Sequence, residues 1–163
     1  MLAQQLVNGI VLGSIYALIA LGYTMVYGIL MFINFAHGDI YMVGAFIGLW
    51  LAGSGRPGFA AVLLGAMIGA AALGLTVERL AYKPLRKAPR LSPLLSALGV
   101  SVFLENLFIK YQGPGFRPFP QIVRMNTYTL GSVSVTSLQM AILATTVVLM
   151  MCLTVFIRKS RLG

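Results

Sequence analysis

The sequence predicts an all-α fold, a polytopic transmembrane helical bundle of about five spans with a short extracytoplasmic loop or hairpin between the fourth and fifth. Three observations carry that expectation. Of 163 residues, 59% are hydrophobic and 9% charged, with a mean hydropathy of +0.91, which no ordinary soluble domain shows. Several apolar stretches exceed the ~18 residues that mark a membrane span. The net charge of +9 is gathered in short blocks between those stretches. That is the topology signal of membrane proteins and not the footprint of nucleic-acid binding, so the expected surroundings are membrane lipid and no nucleic acid.

The first span is expected at about 6–33. At helical rise this is roughly 42 Å against a ~30 Å hydrocarbon core, so the helix must tilt, kink or stop early, with Gly22 and Gly28 as its weak points. The second is drawn at about 35–51 and closes on Gly53-Ser54-Gly55-Arg56-Pro57-Gly58, a turn made almost wholly of breakers. The third, about 59–82, carries no charge before Glu78 and Arg79, and leads into the basic block Lys83 to Arg90 with its two prolines. The fourth, about 91–111, opens on Ser92-Pro93, which suits a helix start. Gly113 to Pro120 offers a proline or glycine at most alternate positions and cannot be helix. The alternation of small polar and apolar residues over Thr127–Val135 predicts a short hairpin. The fifth span, about 137–157, ends at Arg158-Lys159-Ser160-Arg161.

Five basic residues lie between Arg79 and Arg90 and three more at the C-terminal end. The basic sides face the cytoplasm, placing the 83–90 loop and the C-terminus inside. Five full spans then put the N-terminus outside, and a re-entrant region around His37 would reverse that. Met1 to Gln5 lacks the basic region of a cleavable signal peptide. Small residues recur at four-residue spacing (Gly9/Gly13/Ala17, Gly44/Gly48, Gly65/Gly69, Ala70/Gly74). Such ridges let helices approach closely within one bundle or against another membrane subunit.

Within the first 55 residues Asp39 is the single formally charged side chain, two positions after the chain's one histidine. A carboxylate at mid-bilayer costs roughly 2.5–3.5 kcal/mol on insertion scales. Asn34 is placed to cap the second helix with its side chain on the amide of about residue 37. His37 and Tyr41 share a helix face one turn apart, and Asp39 points elsewhere. One histidine and one carboxylate at this spacing are too few for a metal site, and no partner residues for hydrolysis accompany them. Cys152 is alone, so no disulfide framework or cysteine metal site is expected. Two readings of Asn34–Asp39 stay open. One is a capped helix start at an interface, with Asp39 favouring the helix dipole. The other is a broken helix whose amides and polar groups border a translocation path. Glu78 is expected to be neutralised by Arg79 and Lys83. No Gly-x-x-x-x-Gly-Lys-Ser/Thr loop is present, so the chain is not expected to be an enzyme and any ATP use belongs to a partner.

Asn8 to Gly28 followed by Ile33-Asn34-Phe35-Ala36-His37-Gly38-Asp39, together with Glu78-Arg79-Leu80-Ala81-Tyr82-Lys83-Pro84-Leu85-Arg86, resembles the Liv-type permeases, membrane subunits of branched-chain amino-acid ABC importers. The resemblance runs over essentially the whole chain and is strongest to the H-type subunit. Family members continue past the region of Arg158–Gly163 into a cytoplasmic coupling segment and further spans, so the chain resembles the N-terminal half of a permease, a single transmembrane domain over 1–163. The resemblance implies a bacterial inner-membrane protein carrying leucine, isoleucine or valine. Its partners would be ATP-binding cassette subunits, a second permease subunit and a periplasmic amino-acid-binding protein, and no cofactor is implied. It makes Asn34, His37, Gly38 and Asp39 candidates for bordering the substrate pathway, and Tyr41, on the helix face of His37, is a candidate beside them. Glu78, Arg79, Lys83 and Arg86 become candidates for the cytoplasmic interface, and the 113–137 loop for meeting the binding protein. A small ion-coupled carrier or channel, or a non-transporting membrane scaffold, is the alternative that the residues alone leave open.

Overall fold

In the computed structural model the described residues are 2–30, 32–55, 58–89, 91–122, 126–130 and 133–159. Five α-helices and one hairpin succeed one another in the order α1 (Leu2–Leu30), α2 (His37–Gly53), α3 (Phe59–Val77), α4 (Leu91–Gln112), β1 (Thr127–Leu130), β2 (Val133–Thr136) and α5 (Ser137–Lys159). Four of the described helices are long and apolar enough to cross a membrane, over Leu2–Gly28, Phe59–Leu85, Leu91–Gln112 and Ser137–Val155. The exception, α2, has 17 residues, about 25 Å at helical rise, short of a ~30 Å core. Helix α1 starts four residues earlier than expected, runs unbroken through Gly22 and Gly28, and stops three residues short of the expected end. Of the basic residues that orient the chain, Arg56, Arg90, Arg124 and Arg161 lie outside the described residues, as does the hairpin connection at 131–132.

The chain divides into two compact units, Met1–Ile29 with Val123–Gly163, and Leu30–Ile122. In the first, β1 and β2 pair antiparallel from Thr127 opposite Thr136 to Leu130 opposite Val133. The Gln4 side-chain amide extends this pairing. Its Nε2 donates to the Ser134 carbonyl at 3.0 Å and its Oε1 accepts the Ser134 N–H at 2.7 Å. Helix α5 opens on a capping box: Gln139 N–H donates to Thr136 Oγ1 and Gln139 Oε1 accepts the Thr136 N–H. Gln139 Nε2 also donates to Asn8 Oδ1 at 3.2 Å. These bonds place the first turns of α1 and of α5 at the same end of the unit.

In the second unit α2 and α3 pack antiparallel through the small-residue ridges. A Cβ on Gly44 would stand 3.2 Å from the Ala70 Cβ, and one on Gly48 3.7 Å from the Ala66 Cβ. Ile47 and Leu51 reach across onto Gly69 and Gly65. The ridges at Gly44/Gly48 and Gly65/Gly69 therefore serve packing within the chain, whereas Cβ atoms on Gly9 and Gly13 would meet nothing within 4 Å. Helix α4 joins through Phe108, whose ring lies 4.9 Å from Phe46 and 6.2 Å from Trp50. It ends where Gly113, at φ +77°, takes the left-handed conformation that closes helices. There Gly113 N–H donates to Ile109 and the Arg117 guanidinium to the Gln112 carbonyl. Residues 113–122 are irregular, as the prolines and glycines require.

At its far end α3 does not stop at the basic block but changes pitch, passing through a π-turn over Glu78–Tyr82 and a 3₁₀ turn over Lys83–Leu85. Pro84 has no N–H to continue the α ladder, and Ser96 Oγ of α4 donates to the Ala81 carbonyl at 3.1 Å. The expected charge partners of Glu78 are corrected here. Its carboxylate pairs with Arg86, at 2.5 Å, rather than with Arg79 or Lys83, because the tightened turn brings the chain back over Glu78.

Replacing Gly44 with leucine drives a branched side chain into the Ala70 Cβ, which cannot move aside. Overpacking of this kind costs about 1–3 kcal/mol. Thermal or denaturant unfolding of the purified chain is expected to register that loss for Gly44→Leu and none for Gly9→Leu.

Candidate functional site

The residues of 34–39 gather around the π-turn. Asn34 is 6% exposed and Asp39 7%, in the segment entering α2 and in its first turn. Tyr82, 2% exposed, closes the π-turn and donates its hydroxyl to Asn34 Oδ1 at 2.5 Å. Its ring meets Phe32 edge-on at 5.2 Å and 82° and packs in a core with Val77 and Ala97, flanked by Leu73, Ala81 and Val100. The π-turn is what sets the phenol here. One extra residue in the turn rotates the side chains beyond it about the helix axis, and such turns recur where a helix must re-aim a side chain.

The expectation that Asn34 caps α2 with its side chain is corrected. The cap position is Ala36, with no side-chain cap bond. His37 N–H donates instead to the Asn34 main-chain carbonyl at 3.2 Å, and Ile40 N–H to that of Ala36 at 3.0 Å. The Asn34 side chain turns inward because a buried phenol needs an acceptor, and an unmet buried hydroxyl costs more than an exposed helix end.

Asp39 lies within electrostatic range of the Tyr82 phenol, and its Oδ2 is buried with no hydrogen-bond partner among the described residues. Buried acceptors are rarely left in this state. Tyr41, on the other face of α2 as its spacing implies, is 52% exposed and lines an apolar cavity of about 360 Å³ along α2 and α3, with Gly44, Gly48, Val62, Ala66 and Phe119 among its walls. His37 is half-buried at the start of α2, and Gly38 is exposed with nothing within 4 Å of a Cβ. The node therefore unites Asn34 and Asp39 with Tyr82 and leaves Tyr41 to a separate cavity. Arg79, Lys83 and Arg86 are exposed at the basic end. Among the described residues no group of three or more His, Cys, Asp or Glu could hold a metal.

Sequence reasoning did not find Tyr82, Phe32 or Ser96. The legible signal for Tyr82 was an aromatic with a polar tip at the last position of an apolar span, which needs either an interface or a buried acceptor. The antiparallel register also fixes where the node lies. Ile40 is level with Gly74 and Gly44 with Ala70, so Asn34 and Asp39 stand at the end of α3 that carries the basic block.

Tyr82→Phe leaves the Asn34 amide oxygen buried and unpaired and is expected to destabilise the chain by about 1–3 kcal/mol. Adding Asn34→Leu, which removes the unmet acceptor, is expected to recover most of that loss in the same unfolding measurement.

A family profile described as the permease component of branched-chain amino acid transport systems matches residues 5–163. The high-affinity branched-chain amino acid transport system permease protein LivH of Escherichia coli strain K12 is 41% identical over 173 aligned residues, which cover 98% of this chain and 56% of LivH. The corresponding permease protein BraD of Pseudomonas aeruginosa is 42% identical over 172, with the same coverage. The chain thus spans about half the length of these relatives. No solved structure matches it.

Proposed function

This chain belongs to the family of branched-chain amino acid transport permease components, and from that premise we propose that it forms part of the translocation pathway of an ABC importer for leucine, isoleucine, valine or related hydrophobic amino acids. The observation that supports a pathway role for the node is the buried Oδ2 of Asp39, which has no hydrogen-bond partner among the described residues. A carboxylate kept at a cost to stability in an apolar setting is the mark of a group retained for function. In this reading Asn34, His37, Gly38 and Asp39 border the inner mouth of the path. Tyr41 faces it from the groove along α2 and α3. Glu78, Arg79, Lys83 and Arg86 stand on the side where ATP-binding cassette subunits act. A second permease subunit completes the path and a periplasmic amino-acid-binding protein delivers the substrate. The chain itself supplies no catalytic group.

The test is uptake of radiolabelled leucine in a strain lacking its own branched-chain importer, with the chain supplied alongside its transporter partners. Asp39→Asn is expected to reduce uptake about tenfold or more, the factor that ~1.4 kcal/mol represents, while raising the unfolding temperature of the purified chain. Unchanged uptake removes Asp39 from the pathway. Uptake that survives loss of the ATPase and tracks the proton gradient sinks the importer reading in favour of an ion-coupled carrier.

Orientation is set by the basic residues: the 79–90 end and the C-terminus lie in the cytoplasm. The bonds of Gln4 to Ser134 and Gln139 to Asn8 hold the start of α1 level with the start of α5, which, taken with a cytoplasmic C-terminus, supports an N-terminus outside. With Cys152 replaced by serine, a membrane-impermeant maleimide is expected to label Ala3→Cys on intact cells and to leave Lys87→Cys unlabelled until the cells are opened.

A further inference from the structure

The charges at the end of α3 are not balanced among themselves. Glu78 is the one carboxylate of the 78–90 stretch, and the Arg86 guanidinium takes it. Arg79, Lys83 and Lys87 are left exposed and without an ion pair among the described residues. They succeed one another at four-residue spacing through the π-turn and the 3₁₀ turn. The Glu78–Arg86 pair thus leaves three cations along this short segment without a carboxylate partner among the described residues. Beside them the surface is apolar: Leu80, between Arg79 and Lys83 in the chain, is 74% exposed, and Leu75, one turn before Arg79, is 60% exposed. The apolar stretch that ends here, Phe59–Leu85, is long enough to cross a bilayer. The cations therefore stand where hydrocarbon gives way to headgroups.

From this juxtaposition we propose that Arg79, Lys83 and Lys87 bind the phosphate headgroup of an anionic phospholipid, whose acyl chain lies along Leu75 and Leu80. A phosphate offers several acceptor oxygens to arginine and lysine donors. Basic clusters directly beyond a transmembrane helix gain about 1 kcal/mol per cation from an anionic surface, about fivefold in affinity. A soluble acidic protein would satisfy the cations but not the exposed leucines between and beside them, which is why a lipid fits the patch better. The site needs neither substrate nor ATP, so it stands or falls apart from the transport reading.

The experiment is native mass spectrometry of the purified full chain released from bilayers containing equal amounts of phosphatidylglycerol and phosphatidylcholine. The parent chain is expected to retain phosphatidylglycerol in preference, and the variant Arg79→Gln/Lys83→Gln/Lys87→Gln to lose that preference. Lys110→Gln, at the far end of α4, is expected to keep it. So is Arg79→Lys/Lys83→Arg/Lys87→Arg, which preserves charge and guards against a folding defect. Inorganic phosphate at the same headgroup concentration is expected not to displace the lipid. A triple glutamine variant that retains phosphatidylglycerol like the parent overturns the proposal, as does displacement by inorganic phosphate. An assembled transporter whose ATPase subunits exclude the lipid reassigns the patch to protein docking.

Discussion

The hydrogen bond from the Tyr82 hydroxyl to Asn34 Oδ1 joins two segments 48 positions apart: the stretch entering α2 and the π-turn that ends α3. Both groups are buried, so each is obligatory for the other, and a low-dielectric setting strengthens the bond while making its loss costly. Around it the Phe32 ring, Val77 and Ala97 close a small core. The pitch change at Glu78–Tyr82 turns the side chains beyond it about the helix axis, and Tyr82 at its end carries the phenol that meets Asn34. Pro84 supplies the means by ending the α ladder, and Ser96 of α4 accommodates it by donating to the Ala81 carbonyl.

The α2–α3 contact rests on a different physical term. Lipid gives apolar helices no hydrophobic reason to associate, so their approach depends on close packing. Gly44 and Gly48 let α2 lie against Ala66 and Ala70, and in exchange Ile47 and Leu51 lie over Gly69 and Gly65. This register holds Asn34 and Asp39 level with the basic end of α3. It also opens the cavity in which Tyr41, Val62 and Phe119 meet. The two polar faces of α2 thus serve different surroundings: Asp39 faces the node and Tyr41 the groove.

Much of this was legible from the residues. The helices α3, α4 and α5 begin where the sequence places them, since turns rich in glycine and proline and the basic block mark their limits. The hairpin is implied by its alternation, and the Gly44/Gly48 and Gly65/Gly69 ridges by their spacing. The capping box Thr136 to Gln139 was equally readable as a pattern. The role of Asn34 was not. Its position before a helix favours a cap, and the competing demand came from a phenol 48 positions away. The Glu78 partner failed for the same reason, since the change of pitch through a π-turn and a 3₁₀ turn cannot be read from composition, and beyond it Arg86 takes Glu78 ahead of the nearer Arg79 and Lys83.

By itself the sequence determined the class of molecule, the helices and their order, the sign of the charge at each end, and the likeness to a permease family. These arise from periodicity, breakers and hydropathy, which act over a turn or two of chain. The tertiary structure alone decided that Asn34 turns inward to Tyr82 and, among the described residues, that Asp39 keeps a buried oxygen without a partner and three cations remain unpaired beside exposed leucines. The reason is that the balance of a buried polar group or of a charge depends on what arrives from distant parts of the chain, and only packing brings it there.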